Sequence, residues 1–322
     1  MDLLKVEDLT VAFQLGYQQI TAVRQLSFSL NAGECLAIVG ESGSGKSTTA
    51  KAVMGILGRN ARVVSGRILF WGQDLLKMSR HEKRQIMGRD IAMVFQNPMT
   101  SLDPSYTVFH QIQEIYRTHL KSRGNYLEEI RQLLRKVEFP DPDSILNKYP
   151  HELSGGMRQR VAIAMAWALN PAVLIADEPT SALDVCTQAE ILRLMKHMAK
   201  ESGTAVILIT HDLGVVAELA DRVLVMYAGE RMESQKVMDF FQSPKHPYSR
   251  GLLEARPQNF RHRFQVIPGN VQLLPDTHHQ CPFYNRCRDR IPECENCRPQ
   301  DTTIGQTGVV RCHLASSREG GI

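Results

Sequence analysis

The chain has 322 residues, 43% of them apolar and 22% charged, with a formal net charge of +4. That length suits one large domain with a smaller appendage, and the apolar share fills a packed core, which excludes wholesale disorder. The slight basic excess is that of a solvated surface and not of a nucleic-acid partner, and no apolar run approaches the roughly 18–20 residues that span a bilayer.

In chain order, Met1–Thr10 has no basic segment leading into an apolar one, so it predicts a first strand, no secretion signal and a cytoplasmic protein. Residues 3–30 alternate polar and apolar positions with β-branched and aromatic content, which predicts an antiparallel entry sheet. Cys35–Gly40 is a short buried strand ending in a glycine turn, and Lys46–Leu57 has helical spacing. Gly66–Phe70 and Ile91–Phe95 predict further strands, and Ser105–Leu146 carries helical patterns. Ala172–Asp177, Ala205–Thr210 and Arg222–Tyr227 are near-continuous apolar strands separated by helices near 186–200 and 212–220. This alternation predicts an α/β fold with a parallel sheet covered on both faces. From about Pro257 the pattern dissolves into Pro, Arg, His and Cys, which predicts an irregular tail.

Gly40–Ser47 carries the spacing G, four residues, G-K-S between strand and helix. Gly40, Gly43 and Gly45 let backbone N–H groups converge on phosphate oxygens, with Ser42 and Thr48 in the same loop and helix start. Lys46 reaches the terminal phosphates, and the Ser47 hydroxyl is a Mg²⁺ ligand. Asp177 and Glu178 end an apolar strand, where ligands bind in open α/β sheets. Asp177 is placed for the Mg²⁺ shell, and Glu178 to orient and deprotonate water. Leu153–Arg160 opens a helix with Ser154, Gly155 and Gly156, an anion site made of N–H groups at a helix N-terminus.

In this order the motifs resemble those of ABC transporter ATPases. The resemblance implies an ABC-type P-loop core with an antiparallel β subdomain and a helical subdomain (about 97–160). It implies ATP and Mg²⁺, with Gln96 on Mg²⁺ and the nucleophilic water and His211 on the γ-phosphate. Asp184, in the loop Ser181–Asp184, belongs to the dimer interface and the nucleotide site, and Phe13 stacks on adenine unless Tyr17 does so. A head-to-tail pair with a second ATPase, itself or a paralogue, is implied, docked on two membrane permease subunits at the cytoplasmic face of the cell membrane.

Asn97–Pro104, His246–Leu253 and Ile267–Gly269 resemble the peptide/nickel importer ATPases, which implies an ATPase domain over 1–256 and a C-terminal extension over 257–322. It also implies uptake of a small solute, di- or oligopeptides foremost, handed over by an external solute-binding protein. Cys35 and Cys186 stand alone and predict small packed hydrophobes, whereas Cys281, Cys287, Cys294, Cys297 and Cys312 crowd the last 42 residues. In a reducing compartment such crowding points to a metal or cluster. Cys281, Cys287, Cys294 and Cys312 have the spacing that the resemblance associates with a [4Fe–4S] cluster, while the residues alone equally allow zinc or free thiols. Cys297 is the spare, although its C-x-x-C spacing would let it replace Cys294. Arg286, Arg288, Arg290 and Arg298 either offset the cluster's charge or form a solvated basic surface.

Overall fold

The structure is a computed structural model and describes residues 2–97, 101–120, 124–181, 183–255, 267–271 and 279–316. Pro257, residues 98–100 of the Asn97–Pro104 segment, and Ala182 of the Ser181–Asp184 loop lie outside the described residues. The chain folds as two compact units, one of Met1–Leu30, Cys35–Leu76 and Ile209–Ile322, the other of Asn31–Glu34 and Lys77–Leu208.

The first unit begins with β1 (Asp2–Leu15) and β2 (Gln18–Asn31), followed by β3 (Cys35–Val39), α1 (Lys46–Met54), β4 (Ala61–Phe70) and β5 (Gln73–Asp74). The expected entry sheet is present in the order β2-β1-β4-β5, with β1 antiparallel to β4 and Leu4 opposite Phe70. The alternation read from the sequence buries Leu4 and Val6 of β1 and, after a register shift between Glu7 and Thr10, Leu9 and Val11.

The second unit contains α2 (Arg80–Ile86), β6 (Ile91–Val94), α3 (Val108–Leu120), α4 (Leu127–Lys136), α5 (Asp143–Leu146), α6 (Gly155–Trp167), β7 (Val173–Asp177), α7 (Val185–Ser202) and β8 (Ala205–Ile209). Strands β6 and β7 run parallel with Ile91 opposite Val173, and β8 lies beside β7. Every residue of these three strands is buried, which is why they read as continuous apolar runs. Helices α3 to α5 occupy the expected helical stretch, and Tyr116 stacks on Tyr126 at 5.0 Å between ring centroids.

The chain returns to the first unit with α8 (Leu213–Leu219), β9 (Arg222–Tyr227), β10 (Glu230–Lys236), α9 (Val237–Gln242), α10 (Pro247–Glu254), α11 (Glu293–Asn296), β11 (Asp301–Ile304), β12 (Gly308–Arg311) and α12 (His313–Ser316). Strand β9 is parallel to β3 and antiparallel to β10. The tail is not wholly irregular as the sequence predicted. Strands β11 and β12 form an antiparallel hairpin that adds to β10, with Glu233 opposite Val310. Four-residue strands are too short for a periodic signal, and β12 is stabilised by pairing with a distant strand. Cys281, Phe283 and Cys294 join Ala37, Val39, Tyr227, Phe240 and Tyr248 in one core. Among the described residues, no helix is long and apolar enough to cross a membrane.

Candidate nucleotide site

The loop between β3 and α1 is built around glycines that nothing larger can replace. Gly40 lies at φ +154°, and a Cβ there would fall 2.2 Å from the Met226 carbonyl oxygen. Gly45, at φ +97°, caps α1, and its Cβ would fall 2.6 Å from the Ala22 oxygen. Ser42 and Gly43 are exposed at the crest, while Ser47 and Thr48 are half-buried in the first turn of α1. The buried Lys46 Nζ donates to the carbonyls of Gly40 at 2.7 Å and Glu41 at 2.9 Å. A cation tethered to loop carbonyls beside a helix N-terminus is an anion-binding arrangement.

In the second unit the ends of β6 and β7 bring two predicted residues together, for Gln96 Nε2 donates to Glu178 Oε2 at 2.8 Å. Asp177 is buried, at 4% exposure, and Glu178 is half-buried at φ +46°, a left-handed conformation for a non-glycine residue. Such strain persists only where surrounding structure enforces it, and it clusters at functional sites. Ser181 supplies some of that enforcement, its N–H and Oγ–H donating to the Glu178 carbonyl at 3.3 and 3.2 Å.

Ser154 is the N-cap of α6, its Oγ accepting the Met157 N–H at 3.3 Å. Gly156 is required by packing, since a Cβ there would stand 2.8 Å from Thr187 Cγ2. Asp184 caps α7, accepting from the Thr187 N–H at 3.0 Å and the Thr187 hydroxyl at 2.7 Å. Those bonds, the backbone one foremost, hold its carboxyl below the usual carboxylate range. His211 is exposed after β8, and Asp212 beside it caps α8 by accepting the Gly214 N–H at 2.7 Å. Phe13 is half-buried on β1, and Tyr17 is fully exposed in the turn after it.

Residues 23–181 match the family described as ABC transporter, and residues 232–294 match the C-terminal region of oligopeptide/dipeptide transporters. Over 319 residues the chain is 46% identical to the dipeptide transport ATP-binding protein DppD of Bacillus subtilis, covering 98% of this chain and 95% of that protein. The chain belongs to the ABC transporter ATP-binding family. It is an ATPase. The oligopeptide transport ATP-binding protein OppD of Salmonella typhimurium is 47% identical over 300 residues, covering 92% of this ATPase and 89% of OppD. Among solved structures, the dimeric ATP-binding cassette MJ0796, in a post-hydrolysis state bound to ADP and Pi, aligns with a TM-score of 0.64 at 29% identity. That alignment covers 73% of this ATPase and 98% of the cassette.

The tail cysteines of the ATPase are all free; Cys281, Cys294 and Cys312 are buried, Cys287 is half-buried and Cys297 is exposed. Burial pushes the Cys281 thiol up to about 12 and the Cys287 thiol up to about 11, and raises Cys312 as well. The Cys281 N–H donates to the Cys294 carbonyl at 2.8 Å, which ties the first and third of these cysteines together. As placed, however, no three His, Cys, Asp or Glu side chains among the described residues are close enough to hold a metal ion. One expectation fails, and for Arg286 one of two alternatives falls away. Cys186 is exposed in the first turn of α7, not packed. Arg286 is no solvated surface group, being 8% exposed and ion-paired with Glu41. No local spacing announces that pair.

Proposed function

We propose that this ATPase energises uptake of di- or oligopeptides through an importer with separate permease subunits and an external solute-binding protein. What supports the substrate class is the similarity that runs through the C-terminal region to both DppD and OppD. In this reading residues 1–256 form the ATPase domain, with a helical insertion about 97–160, and 257–322 form the extension. The chain works at the cytoplasmic face of the membrane, paired head to tail with itself or a paralogue.

The observation that carries the catalytic reading is the Gln96–Glu178 hydrogen bond. Gln96 fixes the Glu178 carboxylate, which in this reading accepts a proton from the attacking water. Lys46 and the N–H groups of the loop bind the phosphates, Ser47, Gln96 and Asp177 attend Mg²⁺, and Phe13 or Tyr17 stacks on adenine. His211 contacts the γ-phosphate, and Ser154, Gly155, Gly156 and Asp184 act across the dimer on the partner's nucleotide. When bound, Mg²⁺ supplies charge neutralisation at the phosphates. Vesicles reconstituted with the permeases test this directly: peptide uptake should require ATP. Glu178→Gln should retain ATP binding and lose about 10²–10⁴-fold in hydrolysis. Turnover near wild type removes Glu178 as the base, and ATP-driven uptake of a different solute class removes the peptide assignment.

The spacing of the tail cysteines in the sequence supports a further reading, in which Cys281, Cys287, Cys294 and Cys312 hold a [4Fe–4S] cluster. The donors fit in chemical kind, three of the four thiols being buried and Cys297 exposed, but as placed among the described residues no three of them are close enough to hold a metal ion. Held there, such a group would cross-link the tail, and the Cys281, Cys287 and Cys312 thiols, whose protons burial retains, would have to give them up to serve as ligands. Anaerobically purified protein should carry roughly four irons and four sulfides per chain. Cys294→Ser should lower the iron and Cys297→Ser should not. Colourless protein with one zinc overturns the cluster.

A further inference from the structure

The two C-terminal sequence segments His246–Leu253 and Ile267–Gly269 converge with Arg286 on a single residue of the phosphate loop, Glu41. Its backbone N–H donates to the Tyr248 hydroxyl at 3.0 Å. Its carboxylate receives Arg286 Nη1 on both oxygens, at 3.1 and 3.0 Å. Its carbonyl accepts from Lys46 Nζ at 2.9 Å. All three polar groups of Glu41 are therefore engaged, two of them by the C-terminal part of the chain.

Both C-terminal partners of Glu41 are themselves fixed. Tyr248 is fully buried in α10, with its ring centroid 4.9 Å from Tyr227 and 5.2 Å from Phe283. Arg286 sits in the turn just before Cys287, where its Nε donates to the Pro268 carbonyl at 2.7 Å and its Nη2 to the Ile267 carbonyl at 3.2 Å. Its guanidinium lies over the Tyr227 ring at 5.6 Å. An exposed ion pair contributes little because two mobile side chains must be ordered to form it. Here the guanidinium is already held by two backbone carbonyls, so it meets Glu41 with little further entropy to lose.

We propose that Tyr248 and Arg286 are positioning residues: they hold Glu41, and through its carbonyl Lys46, in the geometry that receives the nucleotide phosphates, so the C-terminal segment sets ATP affinity. The proposal rests on Gly40–Thr48 being the phosphate loop. It assigns a role to segments that the catalytic chemistry leaves unused. Tyr248→Phe removes the acceptor of the Glu41 N–H and keeps the ring packing, whereas Arg286→Lys keeps the charge and loses the fork.

The test is equilibrium binding of a fluorescent ATP analogue with Mg²⁺ to the full chain, alongside steady-state hydrolysis and thermal unfolding. Tyr248→Phe and Arg286→Lys should each weaken binding and raise KM about three- to tenfold, the effect of one net hydrogen bond. Turnover at saturating ATP should stay within about twofold, a split that general loss of folded protein does not produce. Because Arg286 acts through Glu41, Glu41→Gln with Arg286→Lys should bind no more weakly than Glu41→Gln alone. Lys46→Ala supplies the control. If it loses affinity while Tyr248→Phe and Arg286→Lys bind within about twofold of wild type, or if the double variant is additive, the positioning role is overturned. If Lys46→Ala itself binds like wild type, the phosphate-loop reading fails and takes the proposal with it.

Discussion

His246 opens α10 as an N-cap, its Nδ1 accepting the Tyr248 N–H at 3.0 Å while its backbone N–H donates to Glu233 Oε2 at 2.8 Å. An accepting Nδ1 requires the neutral ring protonated on Nε2. At 1% exposure, burial foremost and the Arg250 charge second push its pKa down from 6.5 to about 3. Between those values the unfolded chain binds a proton that the folded one refuses. The contribution is therefore complete above 6.5 and is lost as pH falls toward 3. Glu233 has the opposite sign, since burial raises its carboxyl and its contribution is lost as pH rises through the folded value. Replacing His246 with Asn, itself a good cap, isolates the histidine. Urea unfolding between pH 7 and 5 should show wild-type stability falling more steeply than that of the variant; equal slopes would sink this account.

At the scale of elements, the β11–β12 hairpin covers what would be the free edge of β10, and exposed edges invite aggregation. It is fastened by charge. Glu230, at 3% exposure on β10, pairs with Arg298 at 2.8 Å, Arg311 at 3.4 Å and Arg24 at 3.4 Å. Asp301 joins Arg311 at 2.9 Å. Removing partners from a buried charge costs about 3–5 kcal/mol, and the Phe283 face of the core would go too. A chain ending after Ala255 should therefore melt well below the full chain and aggregate, as read by a thermal scan with light scattering. An unchanged midpoint would make the tail a passive passenger. This interdependence was invisible in the sequence, where Asp301–Ile304 and Gly308–Arg311 offer only four residues each to any periodic reading.

Across the whole molecule, what could be read from sequence was what is contiguous. The glycine loop Gly40–Ser47, the acidic pair at the end of β7 and the Ser154 cap are each spelled within about ten residues, because loop conformation and strand-end placement are local consequences of glycine, hydroxyl and apolar periodicity. The same holds for β3, β6, β7 and β8, whose burial leaves unbroken apolar runs. The Gln96–Glu178 bond, 82 residues apart, was foreseeable only in so far as both residues end neighbouring strands. Tertiary structure alone decided that Tyr248 and Arg286 reach Glu41 across 207 and 245 residues. It alone buried three of the tail thiols while leaving Cys297 and Cys186 outside, and it turned Arg286 from a surface charge into a buried partner. The physical reason is range. Backbone preference and periodicity act over a few residues, whereas desolvation and side-chain pairing depend on which distant segments the core packs together.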